Sequence, residues 1–518
     1  MESDTTDSKA TELALSGLAL LRQIPLSVVV AVFIVTGSVY FQRFRYKSQM
    51  AKFPIILEHL SNEERRAKFL AGAKALYKDG HQKFRGLAYR MQTLDEVQIV
   101  LPFSMLSELR KAPEEVLSFY DMFSKGLEET YTYVDIAFLP QVVDTIKRDL
   151  TPKLTSITSK ICEEVDAALD TYLPSHNEWT EINASKTALD IVAKVSAHLF
   201  IGSSVANEQG YLDCTKNFTV YLGEATKAIK VTRVWLRPFI APRLPEVKRL
   251  LETRGKLRNY VKRVMEEREA KMKDPNWVPP DDMMQWLLNR TDRSKNTLED
   301  CTAAQVLLIL GTINASMQTL IAILHTLAVT PEYIEPLREE IRNTLNADGS
   351  IPVSAMKEFG KLDSYFKEVG MHFPVIIEPY FRRVRKGYTL CNGQYLPPGV
   401  AIVIANPLVT ERKFETFDGF RHYKLREMSE QKDKPQHRWL IANETEFRWG
   451  YDSHVCPGRF YAHNLLKITL ARLIENYDIK MPGDVTGIES RYKMVEFGNV
   501  VMEPRDKPLM IRRRPKEA

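Results

Sequence analysis

Cysteine is scarce in this 518-residue chain, and what there is does not pair up. Cys162, Cys214, Cys301, Cys391 and Cys456 form an odd set at irregular spacings. That excludes a secreted disulfide framework and a zinc-finger pattern. The bulk of the chain therefore suits a reducing compartment, with any chemically special cysteine acting alone. A dominant charge of one sign is missing too: 72 Lys and Arg stand against 66 Asp and Glu, a net of +6. So mild a balance at this length points to no nucleic-acid partner. Internal repeats and low-complexity segments are absent, and 44% hydrophobic with 27% charged residues excludes a disordered or collagen-like chain. Length alone allows about three domains or one large enzyme core.

Charge is also missing locally. Residues 23–42 carry none, and from Ile24 to Phe41 they read IPLSVVVAVFIVTGSVYF. That is about the length of a membrane-crossing helix. The rival reading, a cleaved signal peptide, needs a basic start, whereas residues 1–21 hold Glu2, Asp4, Asp7 and Glu12 against one Lys9. Arg43, Arg45, Lys47 and Lys52 follow with no acid among them. The positive-inside rule keeps that flank cytosolic and the acidic head lumenal. A second uncharged stretch separates Asp300 from Glu332, with VLLILGTINASMQTLIAILHTLAV at 306–329. Gly311, Asn314, Ser316, Gln318 and Thr319 in its middle are expensive in hydrocarbon. A helix buried in a large soluble core accommodates them better.

Helical periodicity dominates the rest. It runs through NEERRAKFLAGAKALYKDGHQKFRG and through the heavily charged EVKRLLETRGKLRNYVKRVMEEREAKMK, which ends at DPNWVPPDD. The charge run of the latter reads as a solvated face. Strand signals cluster near residues 92–101, in TLDEVQIVLP, and across 376–405. The second cluster has a hairpin signal at Asn392-Gly393 and a Pro397-Pro398-Gly399 turn before VAIVIA. The expected organisation is a head (1–22), an anchor (23–42), a linker (43–59) and one predominantly helical domain with a minor sheet (60–518).

One cysteine has a distinctive setting, in RWGYDSHVCPGRFYAHNLLKITLARLIENY. Leu465, Leu466, Ile468, Leu470, Leu473 and Ile474 recur at helical spacing, so a helix starts just past Cys456. Pro457 suits a first helical position. A thiol at a helix N-terminus feels the positive end of the dipole, and His454 and Arg459 add positive charge, which favours the thiolate. A buried structural cysteine is the competing reading. The aromatic-Gly loop before it and CPGR after it favour a ligand.

At these residues the chain resembles the cytochrome P-450 family of haem-thiolate monooxygenases. The family's loop runs Phe, two residues, Gly, one residue, Arg or His, one residue, Cys, one residue, Gly. Counting back from Cys456 aligns Gly458, His454, Asp452 and Trp449, so Trp449 replaces the Phe and Asp452 the first Gly. Phe447 and Gly450 mimic the motif two residues too early. Asp tolerates positive φ, which would keep the loop tight at Asp452. The resemblance makes Cys456 the axial iron ligand, His454 a haem-propionate partner and Trp449 a wall near the sulfur; Gly458 completes the loop. A thiolate ligand favours O–O cleavage. TLDEVQIVLP, SELRKAPEEVLSF, TPEYIEPLREEIR, LDSYFKE and FDGFRHYKLRE extend the likeness to fungal members that oxidise terpenoid secondary metabolites. It implies a mainly α fold with a minor β-sheet region behind one N-terminal transmembrane helix. It places the haem between the cysteine loop and a central helix, Val306 to Leu327. Arg383, in YFRRVRKGY, matches the arginine that binds a propionate, against a solvated edge-strand arginine as the alternative.

Two signatures depart from the family. Its Glu-x-x-Arg helix aligns with Glu368-Val369-Gly370-Met371, so the Arg has become Met, leaving a Glu368–Arg421 pair. A buried member deprived of one cation must find another partner. On the central helix Ala315 stands where the family has a proton-relaying Thr. Asn314 can hold water but is no ordinary acid, and Ser316 offers a hydroxyl about 100° further round the helix. Asn314 and Ser316 are the candidate catalytic residues, against polar residues that merely kink the helix. The resemblance implies a membrane-anchored monooxygenase in the endoplasmic reticulum with its catalytic domain in the cytosol. It would draw electrons from NADPH through a cytochrome P-450 reductase and oxidise a hydrophobic, terpenoid-like substrate. The departures favour two alternatives: a redox-neutral or peroxide-using haem enzyme such as an isomerase or dehydratase, and a degenerate haem-binding scaffold.

Overall fold

The uncharged run at 306–329 falls almost wholly within one 30-residue helix, Leu298–Leu327, in the computed structural model, which describes residues 26–290, 297–411, 416–428, 437–443, 446 and 448–515. Thr297 starts this central helix with a capping box. Its hydroxyl accepts the Asp300 N–H, and the Asp300 carboxylate accepts the Thr297 N–H at 3.0 Å. Among the described residues it is the one helix long and apolar enough to cross a membrane, yet 67% of its apolar window is buried by the protein itself. Several of its polar groups are answered from within. Gln305 donates to the Phe200 carbonyl (2.6 Å), Gln318 accepts the Glu503 N–H (2.7 Å) and His325 Nδ1 meets the Glu503 carboxylate at 3.0 Å. Satisfied polar groups of this kind belong in a protein core.

Amphipathic helices surround it. Helix Ala184–Ile201 packs along the central helix, burying Ala188, Val192, Val195 and Leu199 at helical spacing. The charged segment forms one helix, Pro245–Lys271, with Val247, Leu250, Leu257, Val261 and Val264 inward and most of its charges on the other face; Arg268 is buried and pairs with Asp282 at 2.7 Å. The helix after the cysteine, Arg459–Asn476, packs on the central helix and on Thr151–Tyr172. The periodic stretch from residue 62 is two helices, Asn62–Ala71 and Ala73–Phe84, broken at Gly72 against the Glu496 carboxylate.

Both strand clusters contribute to one mixed five-stranded sheet, ordered Tyr89–Gln92, Val97–Leu101, Ala401–Ile404, Tyr380–Val384, Leu117–Ser118. Ile99 pairs with Ile402 in parallel, and Arg382 pairs with Ile402 from the other side, antiparallel. The Asn392-Gly393 turn closes a small hairpin, Tyr388–Thr389 with Tyr395–Leu396, with Gly393 at φ 82°. A second sheet, Thr180–Asn183, Pro508–Arg513 and Tyr477–Lys480, joins segments remote in sequence. The architecture is mainly helical with small sheets. The acidic head and residues 23–25 lie outside the described residues. From Leu26 the chain is helical to Ala51, with Phe33, Ile34, Tyr40, Phe41 and Phe44 exposed and Met50 buried beneath the five-stranded sheet.

Candidate active site

Cys456 lies where the loop from Arg448 turns into helix Arg459–Asn476, with Gly458 as the cap and Pro457 just ahead of it. The loop is held from both ends. The Cys456 N–H donates to the Trp449 carbonyl (2.6 Å), and the Trp449 indole N–H donates to the Trp439 carbonyl (2.9 Å). The two indole rings meet edge to face with centroids 4.9 Å apart. The N–H groups of Gly458 and Arg459 and the Arg459 charge act on the sulfur, as a helix N-terminus should. Burial outweighs them and pushes the thiol above its ordinary value. The expected low thiol pKa is therefore not a property of the protein alone. A coordinated metal deprotonates a thiol outright, so the ligand would complete what the dipole begins.

The left-handed turn of the loop falls at Gly450 (φ 82°), and Asp452 opens a 3-10 turn, Asp452–His454. The motif's glycine role has thus moved two residues towards the N-terminus, because the turn tightens directly behind Trp449. A Cβ on Gly450 would meet the His454 carbonyl oxygen at 2.6 Å. Gly450→Ala should therefore cost about 1–3 kcal/mol in strain. The check is a lowered thermal midpoint together with a lower haem content per chain. Phe447 lies outside the described residues.

The middle of the central helix is open on one side. From Cys301 to Leu327, Gly311, Asn314 and Ala315 are the exposed residues, and a Cβ on Gly311 would meet nothing within 4 Å. A Cβ on Gly458 would likewise point into empty space. Thr319 donates its hydroxyl to the Ala315 carbonyl (2.9 Å). Ser316, expected as a proton donor, is only 2% exposed: the 100° step per residue turns it into the core. Asn314 is on the open side.

His454 stacks on the Phe119 ring at 4.6 Å and 25°, with its Nε2 3.4 Å from the Glu114 carboxylate. Arg382 lies over the same Phe119 ring, its Cζ 5.5 Å from the centroid, and over Tyr380 at 4.3 Å. Arg383 does not join them. It makes a two-pronged bond to Glu96 (2.7 Å each) and a third to the Gly399 carbonyl (2.7 Å), with Lys125 also on Glu96. Alternation in strand Tyr380–Val384 explains the difference, since Tyr380, Arg382 and Val384 are buried and their neighbours are not. The arginine beside His454 is thus Arg382, one residue before the expected one. Reading Tyr380 and Val384 as the inward face would have picked it out.

Behind the loop, helix Gly360–His372 carries a buried ionic cluster. Glu368 accepts from the Asp418 N–H (3.0 Å) and from Arg421 (3.2 Å) and sits 3.1 Å from His372 Nε2. Burial alone would raise its carboxyl, but the His372 and Arg421 bonds hold it below the usual range. The Glu368–Arg421 pair therefore exists, with His372 as a third member. Met371 faces His422, its sulfur 3.1 Å from Nε2.

These features suit a flat iron–porphyrin: a thiol with N–H groups behind it, two glycines without Cβ at open space, and Arg382 with His454 gathered on Phe119 for its carboxylates. The chain's relatives are of that kind. A family model described as Cytochrome P450 matches residues 142–507. Cytochrome P450 monooxygenase TES1 of Alternaria alternata is 80% identical over 513 residues, 99% of this chain and 98% of that protein. Ent-kaurene oxidase P450-4 of Gibberella fujikuroi is 27% identical over 429 residues, 80% of this chain and 84% of that protein. With the cysteine loop, the open central helix and relatives along almost its whole length, the chain belongs to the cytochrome P450 family of haem-thiolate monooxygenases.

Proposed function

We propose that this monooxygenase is anchored in the endoplasmic reticulum membrane by residues 23–42, with its catalytic domain in the cytosol. It takes electrons from NADPH through a cytochrome P-450 reductase docking on the Cys456 side. It hydroxylates or epoxidises a hydrophobic, terpenoid-like secondary metabolite. Cys456 is the axial ligand, Trp449 and Gly458 frame it, and His454 and Arg382 hold the propionates. When bound, the haem supplies activation of dioxygen. The observation that carries this reading is the Cys456 loop at the start of a helix that packs on the central helix, whose Gly311, Asn314 and Ala315 are exposed. The terpenoid class draws its support from the likeness to an ent-kaurene oxidase.

Two features support the anchor. The exposed apolar residues of helix Leu26–Ala51 are covered by none of the described residues. Trp235 and Phe239, 72% and 65% exposed, follow a segment tied to helix Asn62–Ala71. Arg233 pairs with Glu63 (2.6 Å), and Arg66 donates to the Lys230 carbonyl (3.2 Å). Aromatic residues in that position suit a bilayer interface.

The chain's own part in proton delivery is modest. Asn314 can hold a water by its amide, and Ala315 contributes no hydroxyl to the open side. Here the redox-neutral or peroxide-using alternative finds its one foothold, and the scaffold alternative draws only on Met371. Placing a hydroxyl there decides the matter. With reductase and a panel of terpenoids, Ala315→Thr should raise product formed per NADPH consumed by roughly two-fold or more. Turnover that proceeds without NADPH would sink the monooxygenase reading of this site in favour of the redox-neutral one.

A further inference from the structure

The buried cluster on helix Gly360–His372 lacks the cation that Met371 does not supply, and a different arginine reaches into it. Arg448 comes from the loop, immediately before Trp449, whose carbonyl accepts the Cys456 N–H. Its guanidinium lies against Gly370. A Cβ on Gly370 would meet Arg448 Nη1 at 2.6 Å and Cζ at 3.1 Å, so glycine alone leaves this notch. Within it, Nη2 donates to the Lys367 carbonyl (3.3 Å) and lies 4.0 Å from the Glu446 carboxylate, which also pairs with the fully buried Lys367. Nε and Nη1 have no hydrogen-bond partner among the described residues. Burial works against its charge and lowers its pKa, and Glu446, Asp363 and Glu368 oppose that in part. Arg448 thus occupies the space that a side chain at 370 would fill and brings its charge into the buried cluster on the Lys367–Gly370 side of the helix.

We propose that Arg448 is a positioning residue: seated in the Gly370 notch, it delivers from the cysteine loop the buried positive charge that position 371 lacks, and so ties the loop carrying Cys456 to helix Gly360–His372. One arginine then does two jobs, facing Glu446 while fixing the start of the loop. A buried charge removed from such a set leaves its partners uncompensated. The coupling also has a steric half, because Gly370 and Arg448 fit only together. The inference holds whatever the substrate, so its failure would leave the functional reading above intact.

Two mutant cycles on the full-length protein test it, read by thermal midpoint and by the fraction of chains showing the thiolate-type reduced–carbon monoxide band. For charge, Arg448→Met and Met371→Arg should each lower the midpoint by about 5 °C or more and reduce that fraction. The double variant R448M/M371R, with the cation moved to 371, should regain most of both losses. For fit, Gly370→Ala should lower the midpoint in the wild-type background and have little effect in an Arg448→Ala background. A merely space-filling Arg448 would give no recovery in the charge cycle, and additive losses in both cycles would overturn the proposal. If Arg448→Met alone does not fold, recovery or its absence in R448M/M371R still decides.

Discussion

Asp363→Asn should cost about 3–5 kcal/mol of stability, the penalty for removing one member of a buried ionic set. Asp363 is among the most connected side chains of the core. Its carboxylate takes Lys467 Nζ at 2.8 Å, His463 Nε2 at 3.3 Å, Arg426 at 3.4 Å and the Trp439 N–H at 2.9 Å. These contacts join helix Gly360–His372 to the helix that follows the cysteine and to Trp439, whose carbonyl accepts the Trp449 indole N–H. The loss is therefore felt at the cysteine loop as well as in the core. Asparagine keeps the shape but not the charge, so the buried Lys467 ammonium loses its nearest counter-ion.

The same group sets an acid limit. Burial alone would raise the Asp363 carboxyl, but Lys467 and His463 outweigh it and hold it far below the carboxylate range. Glu368 is held down in the same sense. A carboxyl lowered in the folded state contributes stability that is complete above its unfolded value, about 4. That contribution is lost as the pH falls towards the folded value. The thermal midpoint of the wild type should thus drop steeply below about pH 4. Asp363→Asn should start lower and fall less steeply. A midpoint for Asp363→Asn equal to the wild type at pH 7 would show that the cluster carries no stability.

How far these features are legible from residues alone differs from one to the next. The central helix announces itself by its missing charges, and Gln318 and Asn314 within it speak for a protein core. The start of the cysteine helix follows from Pro457 and the apolar repeat after it, within two residues. Arg382 and Arg383 are adjacent, and only strand parity separates the one beside His454 from the one paired with Glu96. Helical spacing puts Ser316 about a third of a turn from Ala315, but which side is open depends on the packing of the helices around the central one. The left-handed turn at Gly450 instead of Asp452 depends on the close approach of the His454 carbonyl. Arg448 is the least legible of all. Its meaning lies in a glycine 78 positions away, and no local period connects Gly370 to the loop.

Cys456→Ser should abolish oxidation of any substrate, not merely slow it. Serine fills the same space and keeps the Trp449 backbone bond, so the fold should survive with little change in thermal midpoint for the metal-free chain. What it removes is the sulfur. A neutral hydroxyl is a poor substitute for a thiolate, which is soft and donates electron density to iron. The position also leaves little room for rescue: among the described cysteines, Cys162, Cys214 and Cys301 are buried elsewhere in the core and Cys391 is on the hairpin. No second sulfur can take its place. A loss of oxidation with the fold intact would mark Cys456 as the ligand and not as a packing residue.

The most direct measurement is the absorption spectrum of the purified, reduced, full-length protein with carbon monoxide, beside that of Cys456→Ser. The wild type should show its main band shifted far to the red, as thiolate-ligated ferrous haem does, and the variant should not. A wild type without haem, or with haem lacking that shift, would contradict the assignment of Cys456 as the axial ligand.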